Sequence, residues 1–276
     1  AMEQRQPSPT PDLASKHAED LQRLRNFRLL DDDFMSKVFE DTACTELLLQ
    51  IILDRSDLKV QSVHSQHEIK NLQGRSIRLD ILATNAAGQV CNIEIQRSDK
   101  GAGVKRARYN GSLMDANLTA PGDAYEDLAE VYVIFITEHD VLGGGLPIYH
   151  IDRIIRETGQ PFGDESHIIY VNAQITNETA LGRLMHDFRC TDPQEMYYGI
   201  LANRVHYFKA DEKGVSIMCK AMEDMRSETA RETAHAKAVA IARNLLAIGK
   251  LTYEEIAQSV DLTVDEVKAL DSQKTA

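Results

Sequence analysis

Val131 to Thr137 reads VYVIFIT, seven residues without a charge and rich in β-branched and aromatic side chains. A strand with one wet face alternates apolar and polar residues, whereas an unbroken run suits a strand covered on both sides. The segment therefore predicts a strand near the centre of a sheet, with helices on each face, in an α/β architecture. Between residues 60 and 96 the apolar period is two, in three short segments interrupted at 71–74 and 86–88, which predicts a three-strand meander. Helical spacing predicts one helix over residues 34–53, N-capped by Asp33, and another over 99–118. Residues 148–151 and 167–171, beyond the Gly143-Gly144-Gly145 break, are weaker strand candidates.

The chain has 276 residues, more than the roughly 100–200 of an ordinary domain. Residues 1–33 open with Gln4, Pro7, Ser8, Pro9 and Pro11 and close with Asp31, Asp32 and Asp33, the pattern of a flexible tail. Residues 34–190 hold the sheet-forming pattern, and 191–276 read as a helical C-terminal unit. Within that unit 213–248 is rich in Ala, Glu, Arg and Lys, and Thr252 with Glu255 and Thr263 with Glu266 mark the starts of two short helices. The pair resembles a helix-turn-helix in outline, but its second helix begins Val264-Asp265-Glu266, where a DNA-reading helix presents basic or amide side chains. Packing or a homodimer through these C-terminal helices is the expected role. No apolar run approaches the roughly 20 residues that cross a bilayer, and no signal peptide is visible, so a cytoplasmic protein without a membrane partner is expected. Cys44, Cys91, Cys190 and Cys219 are scattered, which argues against a disulfide framework or a zinc finger.

The chemistry concentrates in the meander. In residues 76–84 alternation places Ile77, Leu79, Ile81 and Ala83 on one face and Arg78 and Asp80 on the other; in 90–96, Val90, Asn92, Glu94 and Gln96 share a face. A three-residue loop, Ala86-Ala87-Gly88, with Gly88 in the left-handed conformation, pairs Asn85 with Gln89. Counting back sets Asp80 opposite Glu94 and Arg78 opposite Gln96. If the loop at 72–74 has the same form, Glu68 falls opposite Arg78 and Gln66 opposite Asp80. Two opposed carboxylates repel and resist ionisation unless a cation sits between them, and Mg2+ or Mn2+ would resolve the conflict. Pattern alone favours the alternative, a solvated polar face on an ordinary hairpin. His64 and His67, three apart on a strand, are expected on opposite faces.

A formal net charge of -12 argues mildly against an anionic partner, so local charge is the test. Lys100, Lys105, Arg106 and Arg108 give the helix after the meander a local positive excess. Arg106 and Tyr109 share one side of it and suit either a phosphate contact or a cation stacked on a ring.

Asp80, thirteen intervening residues, then Glu94-x-Gln96 (RLDILAT…NIEIQ) resembles the core of the PD-(D/E)XK nuclease superfamily. With KRARYN carrying Arg106 and Tyr109, and Pro121-Gly122-Asp123-Ala124-Tyr125 ahead of VYVIFIT, residues 34–137 are similar to the branch of recombination-promoting nucleases and transposases, in which Gln commonly replaces the Lys. The resemblance implies a restriction-endonuclease-like core, a mixed central sheet flanked by helices, and a Mg2+- or Mn2+-dependent DNA endonuclease. Asp80 and Glu94 would hold the cation, Gln96 would place the attacking water, and Lys105, Arg106 and Tyr109 would contact the DNA backbone. It further implies an acidic metal ligand on the first helix, for which Glu46 is the candidate; a solvent-facing charge is the alternative. Arg78 and Leu79 stand where the superfamily name has Pro, and little beyond residue 137 matches the branch. Two other functions stay open: a nuclease fold without chemistry that binds nucleic acid or protein, and a factor that nicks DNA only with partners.

Overall fold

The computed structural model describes residues 11–69, 76–97 and 101–272. Six strands form one mixed sheet in the order β1-β2-β3-β4-β6-β5. The meander is β1 (Val60–Ile69), β2 (Ile77–Asn85) and β3 (Val90–Gln96), all antiparallel. β4 (Val131–Thr137) runs parallel to β3, β6 (Ser166–Asn172) runs parallel to β4, and β5 (Ile148–Ile151) forms the edge antiparallel to β6. VYVIFIT thus has a strand on each side, and all its residues but Tyr132 are buried. This is the α/β sheet that its composition demands.

On one face lies α4 (Val104–Leu118), whose Ala107, Leu113 and Met114 pack with Val90, Val131, Val133 and Phe135. The alternate residues Cys91, Ile93, Ile95, Ile134 and Ile136 are buried as well, so the sheet is covered on both sides. α2 (Asp32–Val38) and α3 (Thr42–Ile52) pack against the meander. The single helix expected over 34–53 is therefore two. Asp41 starts the second one by accepting a hydrogen bond from the Cys44 amide at 3.0 Å, and the Thr45 hydroxyl donates to the Phe39 carbonyl at 2.7 Å. A side chain that caps a new helix competes with continuation of the old one. The N-cap of α2 is Asp31 rather than Asp33.

The expected tail is helical from Pro11: α1 spans Pro11–Asn26, and Leu24, Phe27, Leu29 and Leu30 are buried. These apolar residues are widely spaced among charges, which hides them in a composition reading. Residues 1–10 lie outside the described residues. The chain divides into two compact units, residues 1–219 and 220–276, later than the boundary expected at 190. The reason is α6 (Gly199–Ala210), which packs on α2 and α3 and buries Leu201, Val205 and Phe208, after α5 (Ala180–Arg189). The second unit has a core of Ala242, Ile256, Val260, Leu262 and Val267, drawn from α7 (Glu212–Ile248), α8 (Tyr253–Val260), α9 (Val264–Ser272) and the turn between α8 and α9. Thr252 and Glu255 form a complete capping box, and Thr263 pairs with Glu266 in the same manner. No helix among the described residues is long and apolar enough to cross a membrane.

Candidate metal and nucleic-acid site

The site begins at the turn between β2 and β3. Gly88 has φ +84, the left-handed conformation that a side chain disfavours, and its amide donates to the Asn85 carbonyl at 3.0 Å. Asn85 pairs with Gln89, and the register runs from Thr84 opposite Val90 to Ile81 opposite Ile93. One step further brings Asp80 to Glu94, and there side chains replace the backbone ladder. The Ile95 amide donates to Asp80 Oδ2 at 3.2 Å, and the Asp80 amide donates to Glu94 Oε1 at 3.4 Å.

The alternation of β2 fails at the same place. Ile77 and Leu79 pack in the same cluster as Leu82, not on the Ile81 and Ala83 side as strict period two predicts. In β1 the neighbouring Gln66 has φ +50, and its side-chain Nε2 donates to the Ser36 hydroxyl at 2.8 Å. This kink brings the His64 and His67 rings to 5.8 Å, although regular alternation would separate them. Glu68 does lie opposite Arg78; the loop at 72–74 is outside the described residues.

The polar face of β3 is not solvated, because α4 lies over it. Asn92 and Glu94 are both 0% exposed. Arg106 and Asn110, four apart on α4, reach down to them. Arg106 Nη2 donates to Glu94 Oε2 at 2.7 Å and Nη1 to the Gly101 carbonyl at 2.9 Å, with the guanidinium 5.9 Å from the Phe135 ring centre. Asn92 donates to Glu94 Oε1 at 3.0 Å, and Asn110 donates to Asn92 at 3.3 Å. The aromatic partner of Arg106 is therefore Phe135, not Tyr109.

A third carboxylate, unforeseen in the sequence, comes from α2. Asp32 stands on the rim of the site, open to solvent on one side. Its surroundings desolvate it, and with the charges of Asp80, Asp33 and Asp31 they push its pKa up to about 7 against the opposing Arg97. Asp80 is raised above the usual carboxylate range by burial and then by Glu94, and Glu94 is raised by burial despite Arg106. Glu46 is employed elsewhere: it accepts from Lys59 Nζ at 2.7 Å and from the Val60 amide at 3.0 Å, contacts that hold its pKa low and tie α3 to β1. The run Asp31-Asp32-Asp33 was the available signal for Asp32, since acids gather in the first turn of a helix.

Gln96 ends β3, half-buried, against Gly101; a Cβ at Gly101 would stand 1.7 Å from Gln96 Oε1. Arg106 also lines a groove of about 710 Å³, together with Arg78, Lys105, Arg108, Tyr109 and Asn110, and among the described residues none that lines it is acidic. The local positive charge sought in the sequence is here, in an acidic chain; Lys100 lies outside the described residues.

The donor set suits a hard divalent cation, since three carboxylates of suppressed ionisation lie within one another's field. They do not converge closely. Among the described residues the one trio of acidic, His or Cys donors within 4.8 Å of one another is His186, Asp187 and Cys190. Asp187 there is engaged by the chain itself, accepting the Tyr197 and Tyr198 amides at 2.7 and 2.9 Å.

Residues 37–182, more than half of the chain, match the PD-(D/E)XK nuclease family transposases. No curated protein and no solved structure matches the chain.

Proposed function

The chain belongs to the PD-(D/E)XK nuclease family transposases, and on that premise we propose that it is a Mg2+- or Mn2+-dependent DNA endonuclease. Its centre would be Asp80, Glu94 and Gln96, with Asp32 as a third carboxylate. The observation that carries this reading is the meeting of half-buried Asp80 with fully buried Glu94 at the end of the β2–β3 ladder, each accepting a backbone amide from the other's strand. After burial, the charge of Glu94 is what raises the pKa of Asp80, and a cation would relieve that repulsion.

Asp80, Glu94 and Asp32 would hold the ion, which when bound supplies Lewis-acid polarisation of a phosphodiester and acidifies water. Gln96 has an amide that donates and accepts hydrogen bonds but takes up no proton, so it orients the attacking water and does not act as base. Lys105, Arg108 and Arg78 give the adjoining groove its charge, and Tyr109 adds a ring edge. Phosphate contacts of this kind fix register along a nucleic acid without reading its sequence. DNA rearrangement, a cytoplasmic location and a homodimer through the C-terminal helices complete the proposal.

A second reading, a nuclease fold kept as a binding module, is favoured by the incomplete convergence of the three carboxylates. Supercoiled plasmid incubated with the protein and Mg2+ or Mn2+, beside Asp80→Asn, separates the two. The endonuclease reading predicts nicked or linear product from the wild type alone. Equal cleavage by both proteins, or none with either metal, overturns it.

A further inference from the structure

We propose that Arg106 is an internal counter-ion that occupies Glu94 until a divalent cation arrives, and then transfers to a phosphodiester in the adjoining groove, so that cation and nucleic acid bind cooperatively. The inference rests on the metal-site reading above and adds an order of exchange to it. Both oxygens of Glu94 are taken: Oε2 by Arg106 at 2.7 Å, Oε1 by Asn92 at 3.0 Å and by the Asp80 amide at 3.4 Å. Of the roughly four lone-pair sites of a carboxylate the one left open is on Oε2 beside the guanidinium, so a cation that reaches Glu94 is repelled by Arg106 at close range unless Arg106 moves away. The Asp80 amide is backbone within a strand, and Asn92 is fixed in turn by the Ile81 carbonyl at 3.4 Å and by Asn110 at 3.3 Å. Arg106 is the partner that can leave, since it stands on a long side chain 40% exposed and, among the described residues, has one further hydrogen bond, to the Gly101 carbonyl.

Its destination is the interior of the groove that it already lines with Arg78, Lys105 and Arg108, side chains that make the groove positive. Turning Arg106 from Glu94 toward the other three cations is opposed by their charge unless an anion is already there. Arg106 would therefore leave Glu94 when a cation is held there, and would be received by the phosphate. Each ligand lowers the cost of binding the other, and by linkage the two effects are equal. A guanidinium matches a phosphate oxygen pair bidentately, so Arg106 would act as a positioning residue for the scissile strand.

Calorimetric titration of Mn2+ into the full chain at pH 8, with and without a duplex carrying phosphorothioate linkages, tests the exchange. The wild type should bind Mn2+ about 10-fold more tightly when the duplex is present, within the usual 5- to 150-fold range of coupling. Arg106→Gln should bind Mn2+ more tightly than the wild type without DNA and show no further gain with it. Arg106→Lys, which keeps a charge against the buried Glu94, covers the case in which Arg106→Gln does not fold, and should likewise tighten Mn2+ binding while retaining part of the coupling. Mn2+ affinity unchanged or weakened in the folded variant overturns the exchange and leaves the carboxylate site standing. No Mn2+ binding to the wild type overturns both.

Discussion

Gln96 holds its place because the residue against it has no side chain. A methyl group at Gly101 would stand 1.7 Å from Gln96 Oε1, and the clash falls on the far end of a flexible side chain. Gly101→Ala is therefore predicted to cost the fold about 1 kcal/mol or less, yet to lower cleavage by about 100-fold, the usual effect of displacing a positioning group by an ångström. Melting temperature and cleavage rate measured on the same preparation check both halves. Asp32 carries a pH dependence whose sign is fixed. Its folded pKa, about 7, lies above the ordinary 3.8, so near neutrality the folded chain keeps a proton that the unfolded chain has lost. The stability this contributes is complete below about pH 4 and lost as pH rises through about 7. In chelator, the wild type should lose more melting temperature between pH 5.5 and pH 8 than Asp32→Asn does; equal losses would count against the crowded carboxylates. That Asp80 comes opposite Glu94 was legible because loop length sets register locally, whereas the break in the alternation of β2 at Asp80 was not. Asp32 was not, because its approach to them depends on how α2 crosses the meander, which no local pattern records.

Among the elements, the three-residue turn at Gly88 and the two capping pairs of the C-terminal unit were readable, since each is written in adjacent residues. Thr252→Ala should destabilise the unit of residues 220–276 by about 1 kcal/mol, the ordinary value of a lost N-cap, seen as a lower urea midpoint. The split between α2 and α3 was harder to see, because Asp41 interrupts an apolar pattern that continues through it. The place of α1 was hidden too, since part of what holds its C-terminal end is distant in sequence. Lys209 on α6 donates to the carbonyls of Arg25, Phe27 and Thr191 at 3.1, 2.5 and 2.5 Å and lies 5.4 Å from the Phe34 ring. Lys209→Met removes the donor from all three carbonyls and is predicted to cost about 1–3 kcal/mol in denaturant unfolding.

For the whole molecule, a formal charge of -12 describes solubility better than it describes the surface that matters. The groove beside α4 is basic although the chain is acidic, and within a Debye length of about 8–10 Å the local field decides. Arg108→Gln should weaken DNA binding and reduce the slope of log affinity against log salt by about 1, without changing sequence preference. The covered mixed sheet followed from one uncharged run, and the site lies where β2 and β3 part beneath α4. What most directly tests that the parting of those strands is a cation site is a calorimetric Mn2+ titration of the wild type beside Glu94→Gln at pH 8. The account predicts saturable binding to the wild type and at least about 10-fold weaker binding to the variant. Equal affinity in the two proteins, or no binding to either, would contradict it.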